Sequence, residues 1–227
     1  MRKLSYAKAL REALCIEMDR DERVMLLGED IAAYGGSFKV TDGLLAQYGP
    51  DRVRDTPISE NTIVGLATGA ALMGLRPVAE IMFMDFIGLA VDQIVNHAAK
   101  FHYMYGGQKP VPIVVRTPAG GGRGYGPTHS QSLEAWFMHA PGLKVACPAT
   151  PADAKGLLLS AMRDDNPVLF VENQLLDGVQ DDVPEGDYAV PFGQARVARE
   201  GTDLTIVTYS RMVGESVVAA DALEQQH

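Results

Sequence analysis

Two side chains in this 227-residue sequence sit where chemistry could be done. Glu60 closes the run Asp55-Thr56-Pro57-Ile58-Ser59-Glu60 and stands directly before a helix-forming segment, Asn61 to Met73, that Gly74 stops. Gly65, Ala67, Gly69, Ala70 and Ala71 make that helix thin. Glycine weakens a helix, so close packing in a crowded interior is the expected reason for it, and the first turn should be buried too. A carboxylate there has two readings. It is a partner for the positive helix end, or it is a desolvated acid with a raised pKa, poised to pass protons. His129 follows the glycine-rich run Gly120 to Gly126, a loop position that suits an exposed acid/base group.

Other chemistries lack their parts. The glycine run ends in Pro127-Thr128, where a phosphate-binding P-loop needs Lys followed by Ser or Thr, and no acidic ribose ligand is clear downstream. His97 and His102 are five apart, so they do not share a helix face as metal ligands four apart would. Cys15 and Cys147 form no ligand-spaced pair, and no Gly-x-Ser-x-Gly elbow is present.

The elements that must position Glu60 and His129 alternate between two periods. Tyr6 to Asp19 reads as an amphipathic helix with Ala9, Leu10, Ala13, Leu14 and Ile16 on its apolar side. Short apolar runs at Val24 to Leu27, Val78 to Phe83, Val111 to Val115, Lys144 to Cys147 and Val168 to Val171 read as strands buried on both faces, separated by segments of helical length. That alternation predicts an α/β fold, a mostly parallel sheet with helices on both faces. Thr150-Pro151-Ala152-Asp153 reads as a helix start, with Thr as cap and Pro in the first turn, and the helix should run to about Arg163. Leu176 to Val190 lacks periodicity and reads as a loop or linker. Leu204 to Thr208 and Val213 to Leu223 read as one more strand and helix.

Composition bounds the partners. Hydrophobic residues at 47% and charged residues at 22% describe a chain able to bury a large core. A net charge of -9, without a dense basic cluster, argues against nucleic acid. The most apolar stretch, Ile63 to Leu75, is well short of the roughly 20 residues a membrane span needs, and no secretion signal is legible at the N-terminus. A soluble protein in a reducing cytoplasm is expected.

Taken together, Asp-Thr-Pro-Ile-Ser-Glu at 55–60, Gly-Leu-Arg-Pro at 74–77, Asp-Gln-Ile-Val-Asn at 92–96, His-Ser-Gln at 129–131, Pro-Gly-Leu-Lys-Val at 141–145 and Asp-Ala-Lys-Gly-Leu at 153–157 strongly resemble one family. It is the beta subunit of the thiamine-diphosphate-dependent decarboxylating component of pyruvate, branched-chain 2-oxo acid and acetoin dehydrogenase complexes. The resemblance runs from about Leu4 onward. It implies a thiamine-diphosphate-binding fold, with a pyrimidine-binding domain over 1–175, a linker over 176–198 and an incomplete transketolase-like C-terminal α/β domain over 199–227. By the resemblance, Glu60 holds the aminopyrimidine N1′ of thiamine diphosphate, Ile58, Met82 and Phe86 line its pocket, and His129 serves the substrate or the incoming lipoyl group. Family members with a structural potassium bind it at the positions of Ile113, Ala161, Met162, Asp164 and Asn166. The bland alternative at those five is a helix end turning into a strand.

The implied activity is oxidative decarboxylation of a 2-oxo acid, pyruvate first, with acyl transfer to a lipoyl group. The implied partners are an alpha subunit, in an α2β2 assembly, and a lipoylated acyltransferase core. The chain has no Gly-Asp-Gly motif with a downstream Asn, so magnesium and the diphosphate are expected on the alpha subunit. Gly122 to Thr128 departs from the approach to this histidine in the mitochondrial pyruvate enzyme, which leaves acetoin and branched-chain acids as alternatives. A non-catalytic, truncated partner-binding subunit is the alternative from another class.

Overall fold

A computed structural model describes residues 1–225. Six strands form one parallel sheet: β2 (Val24–Gly28), β3 (Val53–Asp55), β4 (Arg76–Glu80), β5 (Val114–Ala119), β6 (Lys144–Ala146) and β7 (Val168–Asn173), in the order β3-β2-β4-β5-β7-β6. The α/β architecture read from the sequence is the one the chain adopts. Its inner strands β2, β4, β5 and β7 are mostly apolar because both faces are covered, whereas edge strand β3 buries only Val53. Leu26, Val78, Val114, Val168 and Phe170 point into one core, while Leu27, Ala79, Val115, Leu169 and Val171, their neighbours in sequence, point into the other.

The first core is closed by helices α1 (Tyr6–Arg20) and α6 (Pro151–Arg163), which pack on each other through Leu10, Leu14, Met18, Leu158 and Met162. Both caps follow from sequence. Ser5 Oγ accepts from Lys8 N at 3.3 Å and Thr150 Oγ1 accepts from Asp153 N at 3.1 Å. The second core is closed by α3 (Glu60–Leu72), a 3₁₀ turn at Met84–Ala90 and a π-helical turn, Gln93–Ala98, that runs into α4 (Ala99–Met104). Short helices α2 (Leu44–Tyr48) and α5 (Ala135–Met138) fill connections, and α7 (Met212–Glu224) lies last.

Three expectations shift. The strand read at Val111 to Val115 begins at Val114, because Pro110 and Pro112 have no N–H to give a ladder. Within Leu176 to Val190, Gln180–Val183 forms β8 and pairs antiparallel with β1 (Arg2–Ser5), matching Arg2 to Val183. Only Val183 of β8 is buried, so it carries no periodic signal. Leu204 to Thr208 has no ladder partner among the described residues, and Leu204, Ile206 and Val207 are exposed. An apolar run becomes a strand only beside another strand.

Helix α3 also differs from the fully enclosed helix expected. Ile63, Val64, Ala67, Thr68 and Ala71 are buried, but Asn61, Thr62, Leu66 and Gly69 face outward. A Cβ on Gly65 would come within 3.1 Å of Gln93 Oε1, whereas one on Gly69 would meet open space. The small-residue face is therefore open at Gly69 in the single chain.

Candidate functional site

Parallel strands share a direction, so everything that follows their carboxyl ends collects along one edge of the sheet. Glu29 follows β2, Ile58 and Glu60 follow β3, Met82 and Phe86 follow β4, the glycine-rich loop and His129 follow β5, and Gln174 and Asp177 follow β7. The five candidate potassium positions lie at the opposite edge. Ile113 precedes β5, and Ala161 to Asn166 form the end of α6 and the turn into β7.

Glu60 is the first residue of α3 and is only 5% exposed. Ser59, at the cap, spends its hydroxyl on Thr62 Oγ1 at 2.8 Å and gives the helix no side-chain cap, which leaves the positive helix end to the carboxylate. A second carboxyl is buried close by. Glu29 is 6% exposed, and burial first, then the charges of Glu60, Asp30 and Glu80, push its pKa up. Its Oε1 has no hydrogen-bond partner among the described residues, and neither has Thr56 Oγ1.

Beside these acids the surface is apolar and open. Ile58 is 82% exposed, and Met82 and Phe86 are half-buried. Phe86 meets His129 edge to face with ring centroids 5.2 Å apart, and Phe83 meets the same imidazole at 4.8 Å. Phe38 and Tyr125 flank Phe83 at 5.8 and 6.0 Å. The structure thus joins Phe86 to His129 and lays Glu60, Ile58 and Met82 along the same edge. Orphaned buried oxygens next to bare apolar side chains fit a flat ring with a polar rim, as an aminopyrimidine has. Glu29, Phe83, Asp85 and Tyr125 escaped the reading of the sequence. A carboxylate directly after a buried strand, in Gly28-Glu29-Asp30, is the signal that could have found the first.

Beneath the site lies a buried ionic cluster. Arg116, 2% exposed, binds both oxygens of Glu172 at 2.7 and 2.9 Å and reaches Glu80 Oε2 at 2.8 Å. Burial raises the Glu172 pKa even so. Asp177 Oδ2 accepts from Arg123 Nη2 at 3.1 Å, and burial, then the charge of Glu172, pushes its carboxyl up to about 7. Arg123 also donates to Gln174 O, so this side chain ties the glycine-rich loop down. Burial pushes the Cys147 thiol up to about 12, which rules out a ready thiolate.

At the opposite edge, Ile113 O accepts from Val168 N at 2.9 Å and Ala161 O from Asp164 N at 3.3 Å. Met162 O and Asp164 O accept from the Arg76 guanidinium at 2.9 and 2.7 Å, and the Asp164 carboxylate pairs with Lys144. Asn166 donates its backbone N–H to Asp164 Oδ1 at 2.9 Å. A structural potassium at this turn would share two carbonyls with the Arg76 guanidinium and the Asp164 carboxylate with Lys144, and no step proposed below runs through it.

Known proteins resemble this chain in sequence and in fold. The family described as transketolase, pyrimidine binding domain, matches residues 2–177, and transketolase, C-terminal domain, matches residues 193–227. The chain is 50% identical to the acetoin:2,6-dichlorophenolindophenol oxidoreductase subunit beta of Cupriavidus necator, covering 99% of this chain and 69% of that one. It is also 50% identical to the pyruvate dehydrogenase E1 component subunit beta of Rickettsia felis, with the same coverage, and 47% identical to the mitochondrial human counterpart, covering 96% and 62%. Among solved structures, a split gene transketolase described as an inactive beta4 tetramer superposes with a TM-score of 0.77 at 25% identity, covering 98% of this chain and 67% of that one. No helix among the described residues is long and apolar enough to cross a membrane.

Proposed function

This chain belongs to the transketolase pyrimidine-binding family, among the beta subunits of pyruvate and acetoin dehydrogenases, and from that premise we propose that it is the beta subunit of a thiamine-diphosphate-dependent 2-oxo acid dehydrogenase. When bound, thiamine diphosphate supplies the carbon nucleophile and electron sink that cleavage beside a carbonyl requires. Glu60 holds a proton at the aminopyrimidine N1′ and so sets the charge of that ring. Ile58, Met82 and Phe86 cover the ring and keep water from it, and His129 meets the substrate or lipoyl side. The magnesium and diphosphate fall to an alpha subunit in an α2β2 assembly, since this chain has no Gly-Asp-Gly motif. The product acyl group passes to a lipoylated acyltransferase core.

The observation that carries this reading is Glu60, a buried carboxylate at a helix start whose charge acts on the buried, orphaned Glu29, at the sheet edge that also carries Ile58, Met82 and Phe86. Pyruvate is the proposed substrate. Acetoin is the second reading, favoured by an acetoin-enzyme subunit at the same 50% identity as a pyruvate-enzyme subunit. The test is to mix the chain with an alpha subunit, thiamine diphosphate and magnesium, and to assay pyruvate, branched-chain 2-oxo acids and acetoin. Turnover of pyruvate above the others is expected, and none from the chain alone. Equal magnesium-dependent turnover without the alpha subunit would overturn the shared site.

A further inference from the structure

No step above uses Asp85, yet its carboxylate joins the two walls of the site. It lies on the turn Met84–Ala90, between Phe83 and Phe86. Its Oδ1 accepts three hydrogen bonds from the segment just past His129: Ser130 N at 3.3 Å, Gln131 N at 3.3 Å and Gln131 Nε2 at 2.8 Å. Bonds to a charged oxygen are stronger than neutral ones, and two consecutive amides converging on it fix the backbone on both sides of one peptide. From the other side Gln174, 1% exposed, gives Nε2 to His129 O at 3.4 Å. The loop leading in has little conformation of its own, since Gly120, Gly122, Gly124 and Gly126 all take positive φ.

We propose that Asp85 is the positioning residue of this site, clasping Ser130 and Gln131 so that the His129 imidazole is pressed against Phe83 and Phe86. Without the clasp, the ring would be carried on a glycine-rich tether and would sample open solvent. The turn that presents Phe86 to the cofactor ring and the segment that presents His129 to the substrate thus move as one body. The functional half of the proposal rests on the reading that His129 serves the incoming lipoyl group.

The test compares Asp85→Asn with Asp85→Ala in the full chain. Asn keeps Oδ1 for the amides, and its amide nitrogen replaces Oδ2, which is buried without a partner. In NMR spectra of the wild type and of Asp85→Asn, the His129 ring protons should carry the shifts imposed by two edge-to-face phenyl rings. In Asp85→Ala those shifts should collapse, and the Ser130 and Gln131 amides should exchange about tenfold faster or more. Gln131→Ala, which removes one of the three bonds, should move both signals the same way by less, and it serves if Asp85→Ala does not fold.

Reconstituted with an alpha subunit, Asp85→Ala should lose acyl transfer to a lipoyl group by about tenfold or more, while substrate oxidation by an artificial electron acceptor is preserved. Asp85→Asn should restore transfer. Unchanged His129 signals in folded Asp85→Ala, or equal loss of both half-reactions, would overturn the proposal. A wild-type complex with no turnover on any substrate would instead overturn the proposed function, and the NMR comparison would still decide the role of Asp85.

Discussion

Arg116 on β5 and Glu172 on β7 face each other diagonally across neighbouring strands, joined by parallel hydrogen bonds of 2.7 and 2.9 Å where no water reaches. Glu80 places a second carboxylate on the same guanidinium. Arg116→Met would leave both acids buried without a counter-charge, and a loss of about 3–5 kcal/mol in urea unfolding at neutral pH is expected. The deficit should shrink in acid, where the carboxylates take up protons. A loss under about 1 kcal/mol at neutral pH would show that the cluster contributes nothing to the fold.

Glu60→Gln keeps the shape and removes the exchangeable proton. If Glu60 only answers the helix dipole, about 0.3–1 kcal/mol of stability should go and chemistry should not change. Under the proposed function, thiamine diphosphate should still bind the reconstituted complex, while exchange of its C2 proton slows by about a hundredfold or more. Wild-type exchange in a loaded Glu60→Gln complex would reduce this residue to a structural one.

Asp177 makes stability depend on pH in an unusual sense. Its folded pKa of about 7 lies above the ordinary aspartate value of 3.8, so the native state holds a proton that the unfolded chain has released. This group therefore favours the fold at low pH and progressively less as pH rises through about 7. Asp177→Asn should flatten stability between about pH 4 and 7 relative to the wild type, read as urea midpoints across that range. An unchanged slope would place the Asp177 titration elsewhere.

Gly142 has φ of +90°, and a Cβ there would stand 2.0 Å from Ala99 O, a backbone atom that cannot swing away. Gly142→Ala should cost about 3 kcal/mol or more. Gly186 also has positive φ, at +74°, but faces open space, so Gly186→Ala should cost only about 1–2 kcal/mol. Similar melting temperatures for the two variants would contradict this contrast.

The inner strands β2, β4, β5 and β7 were legible because each is buried on both sides, and helix α6 because Thr150 and Pro151 mark its start without help from elsewhere, whereas edge strand β3, Val53-Arg54-Asp55, buries only Val53 and was missed. Strand β8 and the open position at Gly69 on α3 were not legible. The first is paired with a strand some 180 residues away in sequence, and the second is a small residue with open space beside it. Glu60 stood out because its motif is contiguous. Asp85 did not, because its partners, Ser130 and Gln131, are brought to it only by the parallel order of β4 and β5.

The pairing of Arg2–Ser5 with Gln180–Val183 also sets an order of events during synthesis. Strand β1 is made before every strand of the main sheet and its partner β8 after all of them, so its amide edge waits unpaired while that sheet assembles. Contacts this distant in sequence close late and slow the final step. A nascent chain halted before residue 180 would hold the six-stranded sheet with Arg2–Ser5 unpaired, and proteases should find that segment first.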